Sequence, residues 1–264
     1  MNVYASRLSD FPAIWFLFIY IVNNKIMKIA LIGYGKMGKA IEAIALERQH
    51  EIVLKIDAHN TDELTADNLK KADVAIEFTG PHTAFDNLIK LIRFGVPVVS
   101  GSTGWLERMP ELQQEIKAHN GSFLYASNFS IGVNLFFELN KKLAALMHPH
   151  SDYKVSLEEI HHTEKRDAPS GTAITLAEQV QEVYPEKKKW VNDVLPAADE
   201  LLIVSKRIGT VPGTHTTTYS SEIDDISITH TAHNRKGFAL GAALAAEYIK
   251  DKKGVFTMKD VLGL

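Results

Sequence analysis

The chain has 264 residues, 45% of them hydrophobic and 23% charged, which is long enough for two domains and too apolar for a disordered chain. A formal net charge of −3 gives no global attraction to nucleic acid or anionic lipid, so neither is expected as a partner. There is no cysteine, which removes disulfides, thiolate metal ligands and any thioester mechanism.

Residues 11–22 (FPAIWFLFIYIV) form an apolar run well short of the roughly twenty residues a membrane span needs. Arg7 before it is balanced by Asp10, and Asn23-Asn24-Lys25 follows in place of a small-residue cleavage site. Residues 1–26 are read as an extension outside the fold, consistent with a start assigned upstream of Met27. A membrane or export signal is the rival reading. No membrane association and a cytoplasmic location are expected.

From Met27 short apolar runs alternate with amphipathic ones: KIALIG, 36–46, EIVLKID, VAIEFTG, 82–94, VPVVSG, 110–120 and SFLYAS. Val- and Ile-rich strands separated by helix-period segments predict βαβ units and a parallel sheet buried on both faces. A helix over 131–147 follows, then a strand, YKVSLEEIHH, that ends in two histidines. Between 209 and 232 the texture changes to alternating Thr, Ser and Ile, with Ile226, Ile228 and His230 on one face at period two. That pattern predicts an open, partly antiparallel sheet whose second face another subunit covers. A small-residue helix over 238–249 closes the chain. The fold class is therefore α/β: a Rossmann-type parallel-sheet domain (27–129 with 240–264) and a smaller α+β domain (130–239) with an open mixed sheet.

Gly33-Tyr34-Gly35-Lys36-Met37-Gly38 follows the first strand and opens a helix, the context a dinucleotide-binding turn requires. Gly33 permits the tight turn, Gly35 lets backbone approach a pyrophosphate, and Gly38 lets helix pack on strand. Asp57 ends the second strand at the spacing expected for a carboxylate that binds an adenine ribose. That acid repels a 2′-phosphate and favours NADH, with NADPH possible because Lys55 and His59 are near in sequence. The strand ends Phe78-Thr79-Gly80-Pro81 and Gly101-Ser102-Thr103-Gly104 are expected to border the nicotinamide half. Ala126-Ser127-Asn128-Phe129 is expected at the hinge between domains.

The richest stretch is 158–172, EEIHHTEKRDAPSGT. His161, His162, Lys165 and Arg166 precede a helix start with Ser170 as its N-cap. The free N–H groups of Gly171 and Thr172 can hold a substrate carboxylate, while a histidine exchanges protons near neutral pH and a lysine donates one. Arg235, near His230 and His233, is a second candidate carboxylate grip. No metal is expected.

These residues, HHTEKRDAPSGTA with GYGKMG, GSTG, ASNFSIGVN and HTAHNRKGFALGA, closely resemble the 4-hydroxy-tetrahydrodipicolinate reductase family of diaminopimelate and lysine biosynthesis, over essentially all of 27–264. The resemblance implies a C-terminal mixed sheet used for homotetramer assembly and hydride transfer to a cyclic imine bearing two carboxylates, with loss of water. It implies that His161 donates and accepts a proton, that Lys165 donates one, and that His162, Gly171 and Thr172 bind the dicarboxylate. Residues 33–38, Asp57, Gly101–Thr103 and Ala126–Phe129 would line the cofactor. The chain departs from the family in a short segment between Asp57 and Asp73 and in the extension over 1–26.

An aspartate-semialdehyde-type dehydrogenase needs a cysteine and fails. A sugar or inositol dehydrogenase would need no dicarboxylate grip, and a catalytically silent NAD(H) sensor would need no His161, His162 and Lys165 beside a helix start.

Overall fold

The computed structural model describes residues 26–234 and 236–264; the run over 11–22 and the candidate Arg235 lie outside the described residues. The first half alternates β1 (Lys28–Ile32), α1 (Lys36–Glu47), β2 (Glu51–Ile56), α2 (Ala66–Leu69), β3 (Val74–Glu77), α3 (Ala84–Arg93), β4 (Val98–Ser100), α4 (Met109–Ala118) and β5 (Ser122–Tyr125). It continues through α5 (Ile131–Met147), β6 (Lys154–His161), α6 (Gly171–Val183), β7 (Lys189–Asn192), β8 (Glu200–Arg207), β9 (Gly213–Ser220) and β10 (Asp225–Ala232). It ends in α7 (Lys236–Ile249), β11 (Gly254–Phe256) and α8 (Met258–Leu262).

One sheet is wholly parallel, in the order β11-β5-β4-β3-β1-β2. Its period-two alternation is apolar on both sides. Ile29 and Leu31 of β1 face a core shared with α1 and α7, while Ala30 and Ile32 face another shared with α3 and α4. The strand order reverses between β3 and β1, which opens a crevice at their carboxyl ends. The returning α7 fits close to this sheet because its inner face is small: Ala239, Ala242, Ala243, Ala245 and Ala246 are fully buried. A Cβ at Gly241 would stand 1.7 Å from the Phe129 carbonyl oxygen. Glu247 anchors the same helix, accepting from Arg48 Nε at 2.7 Å and lying 2.8 Å from His50 Nε2.

The second sheet, β10-β9-β6-β8-β7, is mixed: β6 is antiparallel to β9 and parallel to β8. Helices α5 and α6 cover one face through Phe136, Ala144, Leu176 and Val180. Along β6, Val155 and Leu157 point into that core, and at the same period the face continues as Glu159 and His161, all four buried. The opposite face carries rungs of hydroxyls between β9 and β10: Thr214–Thr231 at 3.3 Å, Thr216–Thr229 at 3.0 Å and Thr218–Ser227 at 2.9 Å.

Candidate active site

The turn after β1 is built as its glycines demand. Gly33 has φ +99°, and a Cβ there would lie 2.1 Å from the Phe78 carbonyl oxygen, so only glycine fits. A Cβ at Gly38 would meet the Gly33 oxygen at 2.5 Å, while one at Gly35 would meet nothing within 4 Å. Two positions are closed by packing and the middle one is open, which is the cradle a diphosphate needs at the start of α1. Gly33, Tyr34, Gly35 and Asp57 border one cavity of about 580 Å³ together with Thr79 and Gly80. Asp57 Oδ1 accepts the His59 N–H at 2.8 Å. The Tyr34 hydroxyl donates to Glu42, which also pairs with Lys55 Nζ at 2.6 Å.

A buried acid joins the two turns predicted to border the nicotinamide. Glu77, fully buried at the end of β3, accepts from Thr79 N at 2.8 Å, Ser102 Oγ at 2.8 Å and Ser100 Oγ at 2.6 Å. Thr79 Oγ1 adds a fourth bond at 2.5 Å.

The second cavity, about 510 Å³, is bordered by Thr103, Ser127 and Asn128 from the first sheet's turns, by His161 at the end of β6 and by His162 and Lys165 from the loop after it. Gly171 and Thr172 at the start of α6 complete it. Ser170 caps that helix, its Oγ accepting from Ala173 N at 3.2 Å, so the Gly171 and Thr172 N–H groups have no partner among the described residues. A positive helix end with two free donors therefore faces the same space as two imidazoles and an ammonium. Lys165 Nζ is held by Asp167 at 2.6 and 2.8 Å, and that pairing holds the Asp167 carboxyl below its usual range.

Beneath this loop a polar stripe crosses three strands. Strand register places Glu159 opposite His215 of β9 on one side and Ser205 of β8 on the other, and places His161 opposite Arg207. Glu159 Oε1 accepts from Ser170 N at 3.0 Å, Ser205 Oγ at 2.9 Å and Arg207 Nη2 at 3.1 Å. Its Oε2 stands 3.2 Å from His161 Nδ1 and 3.8 Å from His215 Nε2. Burial alone would push this carboxyl up, but the His161 ring, Ser170, Ser205 and Arg207 outweigh it and hold the group ionised, well below the carboxylate range. His215 moves the other way: burial, then the neighbouring His161, lowers it to about 4, so it is neutral at physiological pH. Arg207 also donates to the carbonyls of Lys165 at 3.2 Å and Asp167 at 2.5 Å, which pins the loop from below.

Glu159, His161 and His215 bring three ligating atoms within 4.8 Å of one another. Their chemistry does not suit a divalent ion. The carboxylate already carries a guanidinium, and His215 Nε2 lies 3.1 Å from Ser170 Oγ.

The structure thus gathers His161, His162, Lys165, Gly171 and Thr172 with Thr103, Ser127 and Asn128, and separately Gly33, Tyr34, Gly35 and Asp57. Met37, Gly38, Ala126 and Phe129 form the packed floor instead of the lining, Lys36 is exposed, and Gly101 and Ser102 serve the junction of the turns. Sequence reading missed Glu77, Glu159, Arg207 and His215. The signal for Glu159 was available, because it lies two residues before His161 and shares its strand face.

A glycine turn on a doubly covered parallel sheet, facing a histidine and lysine loop from a second sheet, defines a two-domain pyridine-nucleotide-dependent oxidoreductase. Residues 27–129 match the family model described as dihydrodipicolinate reductase, N-terminus, and residues 132–262 the one described as dihydrodipicolinate reductase, C-terminus. The chain belongs to the dihydrodipicolinate reductase family. A curated 4-hydroxy-tetrahydrodipicolinate reductase from Christiangramia forsetii is 53% identical over 238 residues, 89% of this chain and 98% of that protein. Another from Methanocaldococcus jannaschii is 36% identical over 250 residues, 89% and 81% of the two chains. In fold, a dipicolinate-bound dihydrodipicolinate reductase from Paenisporosarcina sp. TG-14 superimposes with TM-score 0.71 at 23% identity, over 88% of this chain and 98% of that one.

Proposed function

We propose that this enzyme reduces 4-hydroxy-tetrahydrodipicolinate to tetrahydrodipicolinate with loss of water, in diaminopimelate and lysine biosynthesis. The observation that carries this reading is the cavity where His161, His162 and Lys165 meet the uncapped N–H groups of Gly171 and Thr172. Such a site suits a small dicarboxylate: the helix end and His162 bind carboxylate oxygens, while His161 and Lys165 are acids within the same space. A reduced nicotinamide nucleotide bound at Gly33–Gly38 supplies the hydride. Loss of the hydroxyl as water puts one proton on the leaving oxygen and releases one from the neighbouring ring carbon, leaving an alkene conjugated with the imine; hydride adds to that conjugated system and one proton from His161 or Lys165 quenches the electron density it builds, so the imine is retained and one proton is consumed overall. Lys165 must exchange Asp167 for substrate to do this. Thr103, Ser127 and Asn128 border the space between cofactor and substrate.

NADH is the preferred nucleotide in this reading. Asp57 stands beside the glycine turn, and the nearby Lys55 cation is already paired with Glu42, so a 2′-phosphate at this end meets a carboxylate while Lys55 is engaged elsewhere. The hydroxyl-studded open face of the second sheet is the surface through which we expect a homotetramer to assemble. A coupled assay tests the function: the hydroxy-tetrahydrodipicolinate is generated in situ from pyruvate and aspartate semialdehyde, and loss of absorbance is followed with NADH and NADPH separately. Rapid oxidation, faster with NADH, is expected. No oxidation with either nucleotide, by protein that still binds NADH, rejects the reading.

A further inference from the structure

The steps above use the cavity-facing groups and leave unexplained the acid beneath them. Glu159 is fully buried and borders neither cavity. A buried carboxylate is costly unless its partners are fixed, and here they come from β8 and from the cap of α6. All three fixed donors converge on Oε1. Oε2 is left toward His161 Nδ1, which is itself buried and has no hydrogen-bonding partner among the described residues. The two atoms stand 3.2 Å apart, at ion-pair distance.

We propose that Glu159 is a positioning residue for His161, holding the imidazole with Nδ1 turned into the protein so that Nε2 is the nitrogen that exchanges a proton with substrate. The inference rests on the acid role proposed above for His161. A neutral imidazole carries one donor and one acceptor, and an ionised carboxylate can only accept, so Glu159 selects the Nδ1–H tautomer. When Nε2 gains a proton, the same carboxylate faces the new positive charge. Arg207, on the opposite oxygen, keeps Glu159 from taking that proton itself. Other charged or titratable groups near the pair are His215 on β9, His162, Lys165 and Asp167 in the loop, and His230 on β10 beyond His215. His215, buried and neutral, adds no second cation beside His161. By also bonding Ser170 N, Glu159 ties the ring's position to the helix end that receives the carboxylate, so proton donor and anion site keep one spacing.

The test uses the full-length enzyme with Glu159→Gln, His161→Ala and the double variant. Glu159→Gln is expected to lower kcat about ten- to a hundred-fold, with the KM for substrate and the Kd for NADH each within about threefold of the parent. In the His161→Ala background, adding Glu159→Gln should cost less than about threefold, since its partner is gone. Parent-like kcat in Glu159→Gln beside a large loss in His161→Ala overturns this inference alone, as does full additivity in the double variant. Parent-like turnover in His161→Ala overturns the acid role and the inference together. Because a buried Gln can unsettle Arg207, a second measurement uses the unaltered protein: side-chain nitrogen NMR near pH 8 should show His161 protonated on Nδ1. A dominant Nε2–H form overturns the proposal whatever the variants do.

Discussion

Glu77 and Glu159 are both fully buried near the carboxyl end of a central strand, yet they are solvated by different chemistry. Glu77 is held by one backbone N–H and three hydroxyls, all neutral. Glu159 is held by a guanidinium, a hydroxyl and a backbone N–H, with two imidazoles at its free oxygen. Neutral donors satisfy a carboxylate and fix the shape of what they belong to, here the two turns at the crevice. Titratable partners do that and also exchange protons. The parallel-sheet half of the molecule thus uses a buried acid as a rivet, and the mixed-sheet half uses one to organise titratable groups.

The largest effects that sharpen this contrast are kinetic. His161→Ala and Lys165→Ala are expected to lower kcat by about 10²–10⁴ while calorimetry finds NADH affinity nearly unchanged; loss of nucleotide binding would remove the division between the halves. Gly33→Ala should cost about 3 kcal/mol or more in denaturant unfolding and abolish nucleotide binding, because its Cβ would lie 2.1 Å from a carbonyl at φ +99°. Parent-like stability there would mean that the turn can rearrange. Glu77→Ala strands four donors and should cost about 2–4 kcal/mol and weaken NADH binding, yet leave the pH profile of the residual activity in place. A moved profile would make the rivet a participant.

A smaller effect appears on acidification. His215 is lowered from an ordinary 6.5 to about 4, so between those values the unfolded chain binds a proton that the folded chain refuses. Stability therefore falls as pH drops through that window, by at most about 3 kcal/mol. Glu159, lowered by its partners, contributes stability that is present above about 4.5 and is lost as pH falls further. Thermal unfolding of His215→Gln between pH 7 and 4 should show a shallower slope than the parent; an unchanged slope would place the acid sensitivity elsewhere. The smallest effect belongs to Asp167→Asn. Asp167 is well exposed, so releasing Lys165 should leave stability within about 1 kcal/mol and lower the substrate KM by less than about fivefold. A raised KM would show that the pair helps binding.

The parallel sheet and its glycine turn were legible in the sequence because strand alternation and glycine spacing are local signals. The helix over 131–147 was predicted with the bounds that are observed, and the segments at 82–94 and 110–120 differ from α3 and α4 only at their ends. His161, Lys165 and the APSGT helix start were legible for the same reason. The Glu159 stripe was not, since Arg207 is 48 residues away and meets Glu159 only through the β6–β8 register. Strands β7 and β8 carry no turn signature that fixes this pairing, and β11 is three residues long. Arg166, which stood out in sequence as part of the cationic cluster, does not border the cavity, whereas the less conspicuous Arg207 supports it.

The placement of α7 has a consequence for how the protein is made. The inner face of that helix fills the core against β1, β3 and α1, and β11 completes the sheet edge beside β5. Residues 27–129 leave the ribosome before α7 does, carrying the glycine turn, but with that side of their sheet covered only in part, by α1. The whole second sheet, β6 to β10, must be synthesised before the missing helix arrives. The core of the parallel sheet therefore closes only after the second sheet has been made, and a chain truncated before α7, though it carries the glycine turn and the histidine loop, would still expose apolar surface to aggregation.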